Sequence, residues 1–311
     1  MTANMPQKER VLGEGHQKQQ IKNLIGGVSF YAMVLFTVLF CTLPLLWMIA
    51  QSLLNVRFGT INGLHNWYPS NAKQFTWTNY SFVLGPTIGL TRSILNSFII
   101  ASFTTILCVG IGASSSYVLA QFEFKLRTGL LGLILSMTMF PGIVIIVPLF
   151  VEYLFINENL GINLINSYPG IILPYIVTNL PLTVYLLYNF FQEIPKELIS
   201  AARVDGASDF QIFRKVILPL AMPGVFTTAI LVFIAAWNEF LFASILLKDV
   251  SKRTIPVALS IFTGIPPPGF NTDPNHAMMA ATALVTIPLI IMVLIFQKQI
   301  VAGLTAGAVK G

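Results

Sequence analysis

A polar stretch of 30 residues, Gln192 to Ala221 (QEIPKELISAARVDGASDFQIFRKVILPLA), lies between two long apolar runs, Tyr168 to Phe191 and Met222 to Leu247. Each run is long enough to cross a bilayer, because about 20 apolar residues span the ~30 Å hydrocarbon core. The polar stretch is therefore held at one membrane face by a span on each side. A mere linker would not need the local signals that it carries.

Those signals specify two short helices at an angle. Pro195 suits a first helical turn, where its missing N–H is not needed. Leu198, Ala201, Ala202 and Val204 form an apolar and small face, with Glu197, Ser200 and Arg203 beside it. Gly206 follows as a left-handed residue after the helix end, where a Cβ would be penalised. Ser208 to Gln211 fits the S-x-x-Q capping box and starts the second helix. Phe210, Phe213 and Ile217 recur on one side of it, and Pro219 and Pro223 close or kink it. Asp205 is placed to cap backbone N–H groups across the turn.

The rest of the chain agrees with a membrane setting. Of 311 residues, 55% are apolar and 10% charged, which describes a polytopic membrane protein. The net charge of +6 then reflects loops that set topology, and no nucleic-acid partner is implied. Cys41 and Cys108 sit in apolar runs as small hydrophobes, without metal or disulfide spacing. The first apolar run is late and long, so it reads as an anchor and not as a cleavable signal.

In order, residues 1–25 form a polar, mostly disordered tail. Residues 26–90 hold span one (Gly26 to Ala50) and a loop with interfacial aromatics Trp67, Tyr68, Trp77 and Tyr80, plus turn residues Pro69 and Pro86. Residues 91–299 hold spans two to six, with the polar loop 192–221 among them, and 300–311 form a C-terminal tail. Span two (Ser93 to Ala120) carries small residues suited to close helix contact. Span three (Gly129 to Ile156) is broken at Pro141-Gly142 and Pro148, and span four at Pro174 and Pro181. Span five follows the polar loop, and a proline-rich loop leads to span six (Met278 to Phe296). Six spans place both ends on one side. That side and the polar stretch hold 12 of the 18 Lys and Arg residues, which makes it cytoplasmic.

Familiar chemistry is missing. There is no G-x-x-x-x-G-K-[ST], no H-E-x-x-H and no G-x-S-x-G, so the chain is not expected to be an enzyme of these types or to bind ATP itself. No cofactor or metal is expected. Any powered process needs a partner or an ion gradient.

Ser-Ala-Ala-Arg-Val-Asp-Gly-Ala at 200–207, with Ile194-Pro195, Phe213 and Ile217-Leu218-Pro219, resembles the "EAA" loop of permease subunits of binding-protein-dependent ABC importers. Trp237-Asn238-Glu239-Phe240 and the tail at 303–311 resemble the carbohydrate-type members, in particular the second maltose permease subunit family. The resemblance spans roughly residues 90–311. It implies an all-α, six-helix membrane protein of the type I ABC importer permease fold, in the bacterial or archaeal inner membrane. It also implies that the chain is half of a sugar or oligosaccharide pathway. The implied partners are a homologous permease, two ATPase subunits that bind the ATP, and an extracytoplasmic solute-binding protein. In this family the loop is a coupling helix that docks in an ATPase cleft. Carried over residue by residue, Glu197, Ser200, Ala201, Ala202, Asp205, Gly206, Ala207 and Phe210 take that role. The family's leading Glu is Ser200 here, and Glu197 one turn earlier is its partial replacement.

A carboxylate inside a span is costly and marks a functional candidate. Glu239 and Asn238 either line a polar passage, with Trp237 offering a face to a sugar ring, or make satisfied helix–helix hydrogen bonds. Asn179, Pro181 and Tyr185 in span four leave carbonyls unpaired, as pathway lining or as packing kinks. Two other functions compete: an ion-coupled carrier with Glu239 as its proton site, and a membrane scaffold that transports nothing.

Overall fold

In a bilayer each apolar run must satisfy its own backbone N–H and C=O groups, and a helix does so within one segment. The computed structural model describes residues 7–54, 75–86, 88–263 and 274–306. The helices are α1 (Gln7–Ser52), α2 (Thr78–Leu84), α3 (Leu90–Gln121), α4 (Arg127–Met137), α5 (Gly142–Leu160), α6 (Tyr168–Gln192), α7 (Lys196–Val204), α8 (Asp209–Leu220), α9 (Met222–Trp237), α10 (Leu241–Leu246), α11 (Ile255–Leu259) and α12 (Pro274–Ala306). Among the described residues five helices are long and apolar enough to cross a membrane, and α8 with α9, bent by 79°, supplies a sixth.

Several expectations change. The tail read as disordered is helical from Gln7, continuous with span one. A helix already nucleated by the span extends residue by residue at little cost, and no proline interrupts residues 7–25. Span three is two helices, separated at Thr138 to Pro141, but α5 runs on through Pro148. Span four is not interrupted: α6 continues through Pro174 and Pro181. Pro174 cannot donate to the Gly170 carbonyl, and the Tyr153 hydroxyl does so instead at 2.9 Å. Span five stops at Trp237 and resumes as α10. Trp67, Tyr68, Pro69 and most of the proline-rich loop lie outside the described residues, as do residues 307–311 of the tail.

The α3–α6 pair is the spine. Gly112 lets the helices approach so closely that a Cβ there would lie 2.6 Å from Thr183 Cγ2. Ser116 Oγ donates to the Val184 carbonyl at 2.8 Å, and Cys108 meets Thr183 Oγ1 at 3.3 Å. Small and hydroxyl-bearing residues thus hold this contact, as span two's composition predicts. One apolar cluster (among others Ile100, Ile171, Tyr175, Phe242 and Ala280) fills the half away from the polar loop. A second (Tyr117, Leu187, Phe191, Ile199, Ile212, Ile217) fills the half beside it.

The far ends of the spans are tied by two amides, Asn96 buried and Asn166 half-buried. Asn96 donates to the carbonyls of Ser251 and Arg253 at 3.0 and 2.9 Å and accepts from the Tyr168 hydroxyl at 2.8 Å. Asn166 holds φ +58° and accepts, at Oδ1, from the N–H groups of Lys248 and Asp249. Asparagine tolerates that left-handed backbone better than most residues. The loop after α10 is therefore fixed to α3 and to the α5–α6 turn.

The elbow and the broken spans as candidate functional site

The polar stretch folds as its local signals dictate. Helix α7 ends in a Schellman motif: Gly206 at φ +79° donates to the Arg203 carbonyl and Ala207 to the Ala202 carbonyl, both at 3.0 Å. The capping box closes reciprocally, with Ser208 Oγ accepting from Gln211 N at 3.3 Å and Gln211 Oε1 from Ser208 N at 2.8 Å. Asp205 makes no capping bond among the described residues, so the cap expected of it belongs to Ser208. Arg203 and Asp209 pair across the turn at 3.2 Å, an exposed bridge of small energetic weight.

Within α8, Phe213–Ile217 form a π-helical turn. Pro219 explains it, because its ring crowds the Lys215 carbonyl and cannot donate to it, and a wider turn relieves the clash. The 79° bend then falls at Ala221, between Pro219 and Pro223. The elbow is thus two short helices, a fixed turn and a sharp re-entry.

Its inner side is anchored. Ile199, Ile212 and Ile217 are buried against Tyr117 of α3 and Leu187 and Phe191 of α6. Phe213 stacks at a tilt on Tyr117, with centroids 5.0 Å apart, and the Tyr117 hydroxyl donates to the Asp209 carbonyl at 3.1 Å. The outer side is bare: Glu197, Leu198, Ser200, Ala201, Val204, Asp205 and Phe210 are exposed, Phe210 by 68%. Ala202 and Ala207 are half-buried. Phe210, in the first turn before the π turn, therefore lies off the buried face, which Ile212 and Ile217 share five residues apart across that turn. Ser200 Oγ spends its donor on the Lys196 carbonyl at 3.0 Å.

The second set of predicted residues separates. Trp237, expected to present a ring face, is only 2% exposed and stacks on Phe233 at 5.6 Å, so it is core. Glu239 lies where span five breaks, and its two carboxylate oxygens accept from Phe242 N at 2.9 Å and Ala243 N at 3.2 Å. Asn238 is exposed and donates to the Ile234 carbonyl at 2.9 Å. Asn179 donates to the Tyr175 carbonyl at 2.7 Å, a turn from where the Tyr175 hydroxyl reaches the Glu239 carbonyl at 3.4 Å. Tyr185 is ten residues beyond Tyr175, ~15 Å along the helix, and is not brought to this group.

Sequence reading missed how the two breaks meet. A Cβ on Gly142 would lie 3.3 Å from Phe242 and 3.6 Å from Leu241, so the gap before α5 and the gap before α10 are side by side. Thr138, Met139, Phe140, Asn238 and Phe240 are all exposed there. The Phe140-Pro141-Gly142 run was the available signal for the first gap.

Residues 106–305 match the family described as binding-protein-dependent transport system inner membrane component. The trehalose transport system permease protein SugB of Mycobacterium tuberculosis (strain CDC 1551 / Oshkosh) is 42% identical over 88% of this chain and 93% of its own length. The trehalose/maltose transport system permease protein MalG of Thermococcus litoralis (strain ATCC 51850 / DSM 5473 / JCM 8560 / NS-C) is 40% identical over 87% and 92%. Among solved structures, a bacterial ABC transporter involved in the import of the acidic polysaccharide alginate aligns with a TM-score of 0.69 at 22% identity, covering 96% of this chain and 99% of that one.

Proposed function

The chain belongs to the family of binding-protein-dependent transport system inner membrane components, and on that premise we propose that the solute it carries is a sugar or oligosaccharide. It is a membrane-spanning permease subunit of an ABC importer, a transport subunit and not an enzyme. The observation that carries the solute class is the 42% identity to a permease named for trehalose, over most of both chains. The proposal extends to the assembly: a second, homologous permease completes the pathway, two ATPase subunits bind and hydrolyse the ATP, and a solute-binding protein delivers the sugar. The polar elbow and both termini face the cytoplasm, in keeping with the positive charge on that side.

In this mechanism the elbow is the mechanical link. Its bare face, with Leu198, Ala201 and Phe210 foremost, inserts into a cleft of the ATPase, while Ala202 and Ala207 close the turn behind it. Glu197 supplies the carboxylate that Ser200 lacks, and Asp205 adds charge at the tip. The inner face, hydrogen-bonded to α3 and packed on α6, passes the movement to the spine and so to the two broken spans.

Proteoliposomes holding the full assembly, with ATP inside and binding protein outside, test this against an ion-coupled carrier. Uptake of labelled trehalose or maltose is expected to require ATP and to survive a protonophore. A Glu239→Gln chain is expected to keep most of its uptake, because the amide oxygen replaces one of two accepted bonds at a cost of about 1 kcal/mol. Collapse of uptake under the protonophore, together with a dead Glu239→Gln chain, would make Glu239 a proton site instead. Vesicles with no flux at all would leave a scaffold.

A further inference from the structure

Span one is pinned at one end and stands apart below it. At the end away from the elbow, Asn79 Nδ2 donates to the carbonyls of Ser52 and Leu54 at 2.8 and 2.7 Å, and His276 Nδ1 meets the Gln51 carbonyl at 2.8 Å. Gln51, Ser52 and Leu54 are buried there, whereas no residue from 26 to 50 is buried. Just below the pinned end a cavity of about 210 Å³ lies between α1, α2 and α12. Leu45 and Met48 of α1, Tyr80 of α2, and Ala283, Ile287 and Ile290 of α12 are among its walls. Leu45 is seven residues before Ser52, ~10 Å deeper along α1, so the cavity reaches into the apolar slab.

This cavity offers nothing to water or to a polar ligand. Of the two hydroxyl groups on its walls, Thr286 Oγ1 donates to the Thr282 carbonyl at 2.8 Å. Ser52 spends its proton on the Ile49 carbonyl at 2.6 Å, so the Tyr80 proton goes to Ser52 Oγ, also at 2.6 Å. A buried water needs ~2–4 polar partners, and the other walls are apolar. Left empty, the space forfeits dispersion contacts along every wall. It is partly open, and it is continuous with the lipid-facing surface of the spans: Leu46 and Ile291, next in the chain to Leu45 and Ile290, are exposed. A neighbouring helix, about 10–12 Å across, lays at most a side chain into such a space, whereas an unbranched hydrocarbon fits lengthwise. Trp77, 72% exposed and with its ring 5.4 Å from that of Tyr80, marks the headgroup level above it.

We propose that this cavity holds one acyl chain of a membrane phospholipid, with its headgroup at the level of Trp77, and that the lipid is a removable wedge between span one and span six. The tail gains no hydrophobic free energy by leaving its neighbours. It binds because it supplies the contacts that the void lacks. Ala283 makes the room: Ala283, Ile287 and Ile290 recur at i, i+4 and i+7 on one face of α12, and the alanine is the short step in that row. With the lipid in place, span one is held below its pinned end as well as at it. The site needs only the membrane setting and is independent of the solute carried.

The test uses the full assembly purified in detergent, with a phosphatidylglycerol that carries a photoreactive diazirine in one acyl chain as the probe. Illumination is expected to label the 45–49 and 283–290 segments of this chain, and excess unlabelled phosphatidylglycerol is expected to suppress that label. Ala283→Phe, whose ring plugs the cavity, is expected to lower the label at least about tenfold. Ile291→Phe, on the neighbouring exposed face, is expected to keep it. Ala283→Leu, a smaller plug, is expected to weaken labelling in the same direction and serves where the phenylalanine chain does not assemble. Added phosphatidylglycerol is expected to raise the unfolding temperature of the wild-type assembly by about 2–4 °C and to leave that of the plugged assembly unchanged. Label spread evenly over the lipid-facing helices, label unchanged in both Ala283 variants, or an equal temperature shift in the plugged assembly would each overturn the site. So would a thiol crosslink from Met48→Cys, in a Cys41→Ser chain, to the second permease, because a protein would then occupy the cavity.

Discussion

Replacing Gly206 by valine is expected to uncouple ATP hydrolysis from uptake while leaving the assembly intact. The residue holds φ +79°, and a Cβ built on it would meet nothing within 4 Å. The penalty is therefore in the backbone: a β-branched residue in that region costs at least about 1–2 kcal/mol. Relaxing to a negative φ breaks the two Schellman bonds to Arg203 and Ala202 and swings α7 against α8. Uptake is expected to fall at least about tenfold, since the elbow then meets its partner at the wrong angle. Gly206→Asn, which tolerates the left-handed region, is expected to keep most of the activity. Wild-type uptake in the valine chain would remove the fixed turn from the mechanism.

Ile212→Ala should act on the other side of the elbow. Ile212 is fully buried in the cluster with Tyr117, Leu187, Phe191, Ile199 and Ile217. Removing its outer carbons is expected to cost about 2–4 kcal/mol of local anchoring. Trypsin should then cut the detergent-solubilised assembly faster at Arg203, Arg214 and Lys215, and uptake should be lost. Phe210→Ala gives the informative contrast. Phe210 is mostly exposed, so its loss is expected to leave trypsin resistance unchanged and to weaken only ATPase association. Equal protease sensitivity in the two variants would mean that the inner and outer faces are not distinct.

The elbow was legible in the sequence because its determinants are local. Gly206, the Ser208–Gln211 box and the two prolines act through bonds to neighbours a few residues away, so spacing alone specifies them. The gap in span three was legible for the same reason, through Pro141-Gly142. The gap in span five carries no proline or glycine. It exists because the Glu239 carboxylate competes for the backbone N–H groups of Phe242 and Ala243, and an apolar run hides such competition.

Pro174 and Pro181 misled in the opposite direction. Proline frees a carbonyl, but where Tyr153 can reach the one at Gly170 the helix need not stop. The role of Trp237 depended on which side of α9 faces the core, and a nearly all-apolar helix gives no periodicity to decide it. Asn96 and Asn166 were invisible because their partners lie across the chain, at residues 246–253.

The elbow's outer face is claimed to touch a nucleotide-hydrolysing subunit directly. Single cysteines at Ala201 or Phe210, in a Cys41→Ser chain whose remaining Cys108 is buried, allow that contact to be caught by a short thiol crosslinker in native membranes. The expected product joins this chain to the ATPase subunit from both positions, with a yield that changes when ATP is bound. Crosslinks that reach only lipid-embedded neighbours, or none, from both positions would contradict it.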